Sequence, residues 1–463
     1  MANLQERICI IGGGPAGVSA AMYLEKKGYK NYVIYEKDNR VGGKCWSPIL
    51  PVEEGSNDKR TIEMGAIMGA KTYWAVHEAE EFGGTTHDGP KMGRIYMDKD
   101  GKEIFPFDPK KDANLKKIIS LLKLKKAVKR LAHLMVTKYA GYDVNGHRGV
   151  AEGRYEGLSK VEENHLQTVS GVNKNLKDLA LPFTEFCKIN HVEPVMRIWI
   201  APFTSFGYGY FDEMAAGYVM KYLDVPTTVE FINMRLWTWK DGTQSIWEGV
   251  NNHLANKTNL NSEVTKVVRK DGKVYITVNG KEEIFDKLIV TTPLDWFTKI
   301  ADASDEEKDL FGKIIHEKYV SVANRIEKGK SPEVSAYLFD NMVPERLGHL
   351  MVYYHRWYDI KDQVITTYAL RNHQGSEDVS YEYTRKTTLE DMAKCGCPVT
   401  KVEIEEESYY CPHVSCEDYK AGWYDKVDAI QGKNNTYYGG EVLGFGDMEE
   451  TTEVSRDLIG RFF

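Results

Sequence analysis

The feature that most constrains the fold is a short apolar strand that runs directly into a glycine-rich turn near the amino terminus. Residues 8–11 (ICII) are followed by GGGPAG at 12–17 and then by an alanine-rich segment with helical spacing. A second apolar segment at 32–35 ends at Glu36. This order of strand, glycine turn, helix and acidic strand end predicts a parallel sheet that binds a dinucleotide.

Each position of the turn has a physical reason. Gly12 permits the tight bend, Gly14 lets backbone N–H groups approach a pyrophosphate, and Gly17 allows the helix to pack closely on the strand. Pro15 and Ala16 lie at the start of the helix, where the N–H groups favour a phosphate. A glycine-rich surface loop is the alternative, and the surrounding strands disfavour it.

Later segments return to the same domain. Residues 264–268 and 273–278 alternate around Asp271-Gly272 and predict a hairpin, and 287–292 reads as a buried strand. Near the end, 436–438 runs into a glycine pair and 454–462 has helical spacing. Because neither internal repeats nor low-complexity linkers separate these returns, we expect interleaved domains.

Composition narrows the class of protein. A chain of 463 residues exceeds the usual size of one hydrophobic core, and its net charge of −7 argues against nucleic acid as a partner. No apolar run reaches the length of about 18 residues that a membrane-spanning helix needs. A polar start and an odd number of cysteines, 7, favour a cytoplasmic location. The sequence carries no signal for an oligomeric state.

The segment after Glu36 identifies the cofactor. Arg40-Val41-Gly42-Gly43-Lys44 resembles the second glycine pair of the flavin amine oxidase and phytoene desaturase superfamily, and Gly440-Glu441 resembles its carboxyl-terminal pair. The resemblance implies FAD. It also implies an α/β fold in which a Rossmann-type FAD-binding domain is interleaved with a mixed-sheet substrate domain and a helical domain.

The resemblance assigns cofactor contacts beyond the glycine turn. Glu36 should accept hydrogen bonds from the adenosine ribose, a hairpin residue should contact adenine, and the last helix should begin at the flavin. The residues assigned in this way are Glu36, Lys37, Gly42, Gly43, Lys44, Gly65, Ala66, Ile67, Val264, Gly440, Glu441, Met448 and Thr451. For Val264 a plain buried strand residue remains the alternative.

The chain is expected to form three interleaved domains, two of them built from separate segments. The FAD-binding domain is expected at 1–72, 245–300 and 405–463, and the substrate-binding sheet domain at 73–104 and 301–404. A mainly helical cap domain is expected at 105–244. A Lys-rich helical stretch lies at 113–138, and a strand-rich block extends from about 318 to 408.

Blocks outside the cofactor motifs point to a subfamily. Segments such as EMGAIMG (63–69), TKYAGYDVNGH (137–147), PFTSFGYGYFD (202–212) and LWTWKDGTQ (236–244) resemble the bacterial FAD-dependent polyunsaturated fatty acid isomerases. The resemblance implies isomerisation of linoleate to a conjugated diene. A hydride would pass from the substrate to flavin N5 and return to a different carbon.

Four residues are assigned to this chemistry, three by the resemblance and Tyr208 as the aromatic neighbour of Phe206. Phe206 and Tyr208 are candidates to stabilise transient positive charge, Arg94 is expected to hold the fatty acid carboxylate, and Phe231 is expected to gate the same entrance. Core packing for the aromatic residues and a solvated surface position for Arg94 are the alternatives.

Other functions remain open. A net amine oxidase or desaturase of the same fold would pass electrons onward, and a lipid-escort protein would have lost flavin chemistry. The escort protein is disfavoured by the intact set of cofactor residues, which are Gly12, Gly14, Gly17, Glu36, Arg40 and Gly440.

Two further patterns each have more than one interpretation. Residues 115–135 carry seven Lys or Arg at helical spacing, which fits either a transient membrane-surface contact or a solvated face of a packed helix.

A group of cysteines and one histidine superficially resembles a set of zinc ligands. Its members are Cys395, Cys397, Cys411, His413 and Cys416. Their spacing is irregular for a zinc site, so we expect no metal.

Overall fold

The computed structural model describes residues 3–104, 115–135, 137–139, 176–233 and 235–463. The expected helical cap is therefore described only in part. Beyond Tyr139 the block at 137–147 lies outside the described residues, and so do residues 113, 114 and 136 of the basic stretch predicted at 113–138.

The amino-terminal strand lies inside a parallel sheet built from distant parts of the chain. Strand β1 (Ile8–Ile11) lies between β2 (Tyr32–Tyr35) and β11 (Lys287–Val290), and β11 also pairs with β17 (Thr436–Tyr438). All of these pairings are parallel, in the order β17-β11-β1-β2. Every residue of β1 is buried, as expected for a strand covered on both faces.

Helices from both ends of the chain cover this sheet. Helix α1 (Pro15–Lys26) packs against α16 (Met448–Phe462) and α9 (Gln244–His253), and α2 (Trp74–Gly83) packs against α9 and α16. The Ser455 hydroxyl donates to the Ala16 carbonyl at 2.9 Å and fixes α16 against the glycine turn. The carboxyl-terminal helix thus supports the amino-terminal motif.

The predicted hairpin is confirmed and has a further strand. Strands β8 (Val264–Lys270) and β9 (Lys273–Val278) join at Asp271 and Gly272, whose φ angles of 53° and 70° fit a two-residue hairpin turn. Strand β10 (Lys281–Phe285) extends this antiparallel sheet to three strands.

The second large sheet is mixed and has six strands, in the order β16-β12-β15-β14-β13-β6. Its only parallel pair among the described strands joins β13 to β6. The strands are β6 (Arg94–Met97), β12 (Ile315–Ile326), β13 (Ser335–Leu338), β14 (Val352–Tyr354), β15 (Ile365–Leu370) and β16 (Val399–His413).

The strand-rich block contains one long helix that the sequence pattern missed. Helix α12 (Tyr381–Lys394) begins at Ser380, whose side chain accepts a hydrogen bond from the Tyr383 N–H. This helix has little apolar periodicity, which explains why it was overlooked. The boundary expected at residue 405 falls within β16, which remains paired with β12 on both sides of that position.

The described part of the cap is helical. Its helices are α3 (Leu115–Met135), α4 (Leu176–Leu179), α5 (Phe183–Asn190), α6 (Met196–Thr204), α7 (Ala216–Tyr222) and α8 (Val225–Ile232). Across the described ranges, no helix combines the length and apolar character needed to cross a bilayer.

Shorter elements connect these layers. The short strands are β3 (Ile49–Pro51), β4 (Lys59–Thr61), β5 (Gly69–Ala70) and β7 (Leu236–Trp237). The short helices are α10 (Leu294–Ile300), α11 (Asp305–Phe311), α13 (Cys416–Lys420), α14 (Trp423–Ala429) and α15 (Glu441–Gly444).

Candidate active site

A cavity of about 640 Å³, here called the glycine-lined cavity, opens at the carboxyl ends of the parallel strands. Ligands of open parallel sheets bind at this edge. The sequence-assigned residues in its lining are Gly12, Gly14, Pro15, Ala16, Glu36, Lys37, Gly43, Lys44, Gly65, Ala66, Ile67, Phe206, Tyr208, Val264, Glu441, Met448 and Thr451.

Gly12 and Gly17 of the glycine turn leave no room for a side chain. A Cβ atom on Gly17 would lie 1.9 Å from the Gly12 carbonyl oxygen, so any larger residue would separate the helix from the strand. Gly12 has a φ of 109°, and a Cβ there would lie 2.8 Å from the Thr291 hydroxyl. At Gly14 the nearest atom to such a Cβ is the Gly43 Cα, 3.8 Å away, so the two glycine segments meet backbone to backbone.

Three assigned glycines lie outside the lining and shape the backbone behind it. Besides Gly17, these are Gly42 and Gly440, with φ angles of 106° and 90°. A Cβ on Gly42 would lie 2.8 Å from the Cys45 carbonyl oxygen, and one on Gly440 would lie 3.0 Å from that of Thr291. We therefore predict that these three glycines affect cofactor binding through the shape of the backbone and not through contact with the cofactor.

Glu36 is nearly buried at the edge of this cavity. Its carboxylate accepts hydrogen bonds from the Gly13 N–H at 2.6 Å and the Asp38 N–H at 2.9 Å. These bonds hold the side chain in one orientation beside the glycine turn, with acceptor capacity left for further donors. This geometry supports the ribose contact expected for Glu36.

An ion pair joins two of the assigned segments. The Lys44 ammonium lies 2.5 Å from the Glu441 carboxylate, although 397 positions separate these residues in the chain. The ammonium also lies 5.0 Å from the centre of the Tyr410 ring. Sequence reasoning assigned both charged residues but did not pair them, because no local pattern reports so distant a contact.

Helix α16 begins at the wall of the glycine-lined cavity. Met448 and Thr451 of its first turn line the cavity, and the Asp447 carboxylate caps the helix by accepting from the Glu449 and Glu450 N–H groups. The Tyr73 hydroxyl, which also belongs to the lining residues, donates to Asp447. The positive end of the helix dipole therefore lies at the cavity, and two of the N–H groups of the first turn are already hydrogen-bonded to Asp447.

Aromatic rings form one wall of this cavity. Phe206 and Tyr208 follow α6 in a loop where Gly207 and Gly209 both have φ angles of 84°. The ring centres of Tyr208 and Tyr222 are 4.1 Å apart, and those of Tyr208 and Tyr410 are 5.9 Å apart. Burial raises the pKa of the Tyr208 phenol well above its ordinary value, so this wall is uncharged.

Sequence reasoning missed part of this wall. Tyr222, Tyr319 and Tyr410 line the cavity but were not assigned. The ring centres of Tyr319 and Tyr410 are 5.2 Å apart on the paired strands β12 and β16. The large number of tyrosines, 28, was the one signal for such a wall, and composition does not say where rings meet.

A second cavity of about 840 Å³ lies beside the cap and is called here the apolar cavity. Its charged lining residues, among those the structure describes, are Arg94, Lys125 and Lys129. The remaining described lining is almost entirely apolar: Met92, Gly93, Tyr96, Leu121, Leu124, Val128, Ile198, Trp199, Pro202, Leu223, Thr228, Phe231 and Phe339. Its volume is typical of a site for a small molecule.

The structure brings together the two residues assigned to the substrate entrance. The Arg94 guanidinium donates to the Phe231 carbonyl oxygen at 3.2 Å, and both residues line the apolar cavity. Arg94 is half-buried, and its guanidinium carbon lies 5.5 Å from the centre of the Tyr96 ring. The cation therefore lies at an apolar surface, where a carboxylate would be bound more strongly than in water.

An aromatic partition separates the two cavities. Tyr337 has its ring centre 5.9 Å from that of Tyr96, which lines the apolar cavity, and 6.1 Å from that of Phe206, which lines the glycine-lined cavity. Tyr337 thus connects the linings of the two cavities through ring contacts on both sides.

The cysteines and histidine weighed as zinc ligands do not form a ligand cluster among the described residues. Cys395 and Cys397 follow α12, whereas His413 lies at the end of β16, where its Nδ1–H donates to the Cys411 carbonyl oxygen at 2.8 Å. In the described ranges the one group with metal-ligand spacing is His77, Glu80 and His87, where Glu80 also accepts from the Trp239 indole.

The glycine-lined cavity fits FAD. Gly14 and Gly43 present bare backbone to a pyrophosphate, and the first turn of α1 has no side-chain cap. Glu36 supplies the ribose acceptor, and the aromatic wall supplies flat surface for a ring system.

Comparisons with known proteins agree with this geometry. The family model described as flavin containing amine oxidoreductase matches residues 15–300. The crystal structure of a CLA-producing fatty acid isomerase from P. acnes is 42% identical over 100% of both chains, with a TM-score of 0.88. A polyenoic fatty acid isomerase of Ptilota filicina is 34% identical over 77 residues, which are 17% of this chain and 14% of that protein.

A more distant structure shares the fold alone. Cyclohexylamine oxidase from Brevibacterium oxydans is 12% identical, covers 98% of both chains and has a TM-score of 0.65. The matched residues, the full-length similarity and the glycine-lined cavity lead to one conclusion: this FAD-binding chain belongs to the flavin containing amine oxidoreductase family.

Proposed function

We propose that this protein is an FAD-dependent isomerase that converts a polyunsaturated fatty acid, with linoleate as the model substrate, to a conjugated diene. The observation that carries the proposal is the apolar cavity, whose charged lining residues in the described part of the chain are all cations. An ionised fatty acid has the matching form, a long apolar chain with one anionic end. Full-length similarity to a fatty acid isomerase supports the same substrate class.

In the proposed reaction the hydride that is taken from the substrate is returned to it, so the substrate undergoes no net oxidation. When bound, FAD supplies an acceptor that takes a hydride from the substrate and can give it back. Loss of a hydride from the methylene between two double bonds leaves positive charge spread over the five carbons of the diene unit. Return of the hydride to an end carbon gives the conjugated product, so no external oxidant is consumed.

The protein's residues would orient and stabilise the substrate. Arg94 holds the carboxylate, and its bond to the Phe231 carbonyl fixes the guanidinium at the cavity wall. Phe206 and Tyr208 present rings to the reacting carbons, and each ring stabilises a nearby cation by about 1–2 kcal/mol when water is excluded. The uncharged aromatic wall excludes water from the charged intermediate.

An amine oxidase is the competing reading, and the charges disfavour it. An amine substrate carries positive charge, which Arg94, Lys125 and Lys129 would repel. A desaturase of fatty acids is not disfavoured by charge and is distinguished by its need to pass electrons onward.

The test is anaerobic incubation of the purified yellow protein with linoleate. We expect ultraviolet absorbance of a conjugated diene to grow while the visible flavin spectrum returns to its starting form at steady state. Lasting bleaching of the flavin without a diene would indicate a net oxidase or desaturase. A colourless protein that binds linoleate would indicate a lipid-escort protein.

We propose further that the enzyme works in the cytoplasm and contacts the membrane surface transiently through α3. Ile119 and Leu122 on this helix are exposed by 43% and 62%, beside the exposed cations Lys123, Lys126 and Arg130. Apolar side chains among cations suit the surface of an anionic bilayer.

We expect the protein to sediment with anionic vesicles at low salt and to be released at high salt. The double variant Leu122→Ser, Lys126→Glu should lose this binding. Equal sedimentation with neutral vesicles would contradict the electrostatic part.

A further inference from the structure

The mouth of the apolar cavity has a feature that the assigned entrance residues do not explain. Helix α3 forms one side of it, and Leu121, Leu124, Lys125, Val128 and Lys129 all belong to the lining. Positions separated by three or four residues share one face of a helix. The cavity is therefore bordered by a helix face that carries an apolar stripe and two cations.

The charged side chains of this helix are all positive. Residues 115–135 contain no Asp or Glu, although the whole chain has a net charge of −7. Lys125 and Lys129 are one helical turn apart and are both exposed, whereas Leu121, Leu124 and Val128 are half-buried. Two ammonium groups so placed attract an anion to the side of the apolar stripe.

The lysine pair is distinct from Arg94. Arg94 belongs to strand β6, is half-buried and donates to the Phe231 carbonyl, whereas the lysines belong to the cap helix and face solvent. Lysine is a mobile point charge, and arginine is a rigid fork that suits one fixed geometry. The two cationic positions thus suit successive tasks, capture at the rim and fixed anchoring within.

We propose that Lys125 and Lys129 form a second carboxylate subsite at the rim of the apolar cavity and that the substrate enters as the ionised free acid, not as an ester. The inference rests on the proposed function and adds the chemical form of the substrate. The rim pair raises the concentration of acid at the cavity, so it acts on KM. The rate after binding depends on groups farther in.

The test measures binding without catalysis. The probe is cis-parinaric acid, a fluorescent polyunsaturated acid, titrated below its micelle concentration and without vesicles into the FAD-loaded protein. The double variant Lys125→Gln, Lys129→Gln is compared with Lys188→Gln, which removes an exposed lysine on α5 outside the described cavity lining. We expect the dissociation constant to rise roughly fivefold in the double variant, since exposed ion pairs are weak, and to stay unchanged in the control.

Three additional arms fix the interpretation. The variant Lys125→Arg, Lys129→Arg should restore the affinity because it restores the charge. The affinity for methyl parinarate should not differ between the wild type and the Gln variant, and high salt should remove the difference for the free acid. In steady state, KM for linoleate should rise while kcat is unchanged.

Several outcomes would overturn the subsite. Equal affinity of the wild type and the Gln variant for the free acid would do so, and so would an equal loss for the methyl ester, which would indicate damage to the cavity. If the Gln variant sedimented less with anionic vesicles but kept its affinity for the free acid, the pair would belong to a membrane-contact surface and the subsite would be overturned. If all proteins bind parinaric acid as expected but none forms a diene from linoleate, the subsite stands and the proposed reaction fails.

Discussion

Replacement of Arg94 by Ala isolates the part of substrate binding that depends on its charge. A hydrogen bond between an ionised donor and a carboxylate at a half-buried site contributes about 1.5–3 kcal/mol. At 1.4 kcal/mol for each factor of ten, KM for linoleate should rise roughly ten- to a hundredfold. Arg94 lines the apolar cavity and not the glycine-lined cavity, where the flavin and the reacting carbons would meet. For this reason kcat should change much less than KM.

The structure also gives this variant a side effect that the assay must separate. Arg94 donates to the Phe231 carbonyl, so Arg94→Ala removes a structural bond as well as a cation. Methyl linoleate is the control substrate, since it keeps the chain and lacks the charge. The ratio of wild-type to variant kcat/KM should be large for the acid and near one for the ester. The reasoning is refuted if KM for the free acid is unchanged, or if acid and ester lose equally.

Other substitutions test separate parts of the structure. Gly17→Ala should yield protein without flavin colour, because the new Cβ would lie 1.9 Å from the Gly12 carbonyl oxygen; retention of stoichiometric FAD would contradict this. Phe206→Leu should lower kcat roughly five- to thirtyfold at unchanged flavin content, from about 1–2 kcal/mol of cation stabilisation, whereas Tyr208→Phe keeps its ring and should lose less. Burial lowers the pKa of the His413 imidazole to about 4. Between about pH 6.5 and pH 4 the unfolded chain therefore binds a proton at this residue, whereas the folded protein does not. Stability should therefore fall by about 2 kcal/mol from pH 7 to pH 5, and urea melts of His413→Gln should show a smaller fall; equal pH slopes would oppose the assignment.

The local chemistry of the chain was sufficient for the dinucleotide site. A strand, a glycine turn and a helix follow one another between Ile8 and Lys26, and their function depends on backbone geometry that glycine alone permits. The hairpin at Asp271 and Gly272 was predictable for the same reason. Resemblance to relatives added Arg94 and Phe231, which the fold places in hydrogen-bond contact.

What the sequence could not provide was contact between distant segments. The Lys44–Glu441 ion pair depends on the whole course of the chain between its partners, and so does the meeting of Tyr222, Tyr319 and Tyr410 at one wall. Helix α12 was missed for a different reason. Its weak apolar periodicity gave no signal, and its place over the six-stranded sheet comes from tertiary packing.

The parallel sheet has a consequence for biosynthesis. Strand β1 needs β11 as a neighbour, β11 needs β17, and the glycine turn is supported by α16, so early and late parts of the chain must meet before the cavity has its walls. Thr291 lies at this junction, against Gly12, Gly17 and Gly440 together. On the ribosome the glycine turn emerges hundreds of residues before its partners. Cofactor loading must therefore follow synthesis of α16, and a nascent chain halted before residue 436 should emerge colourless.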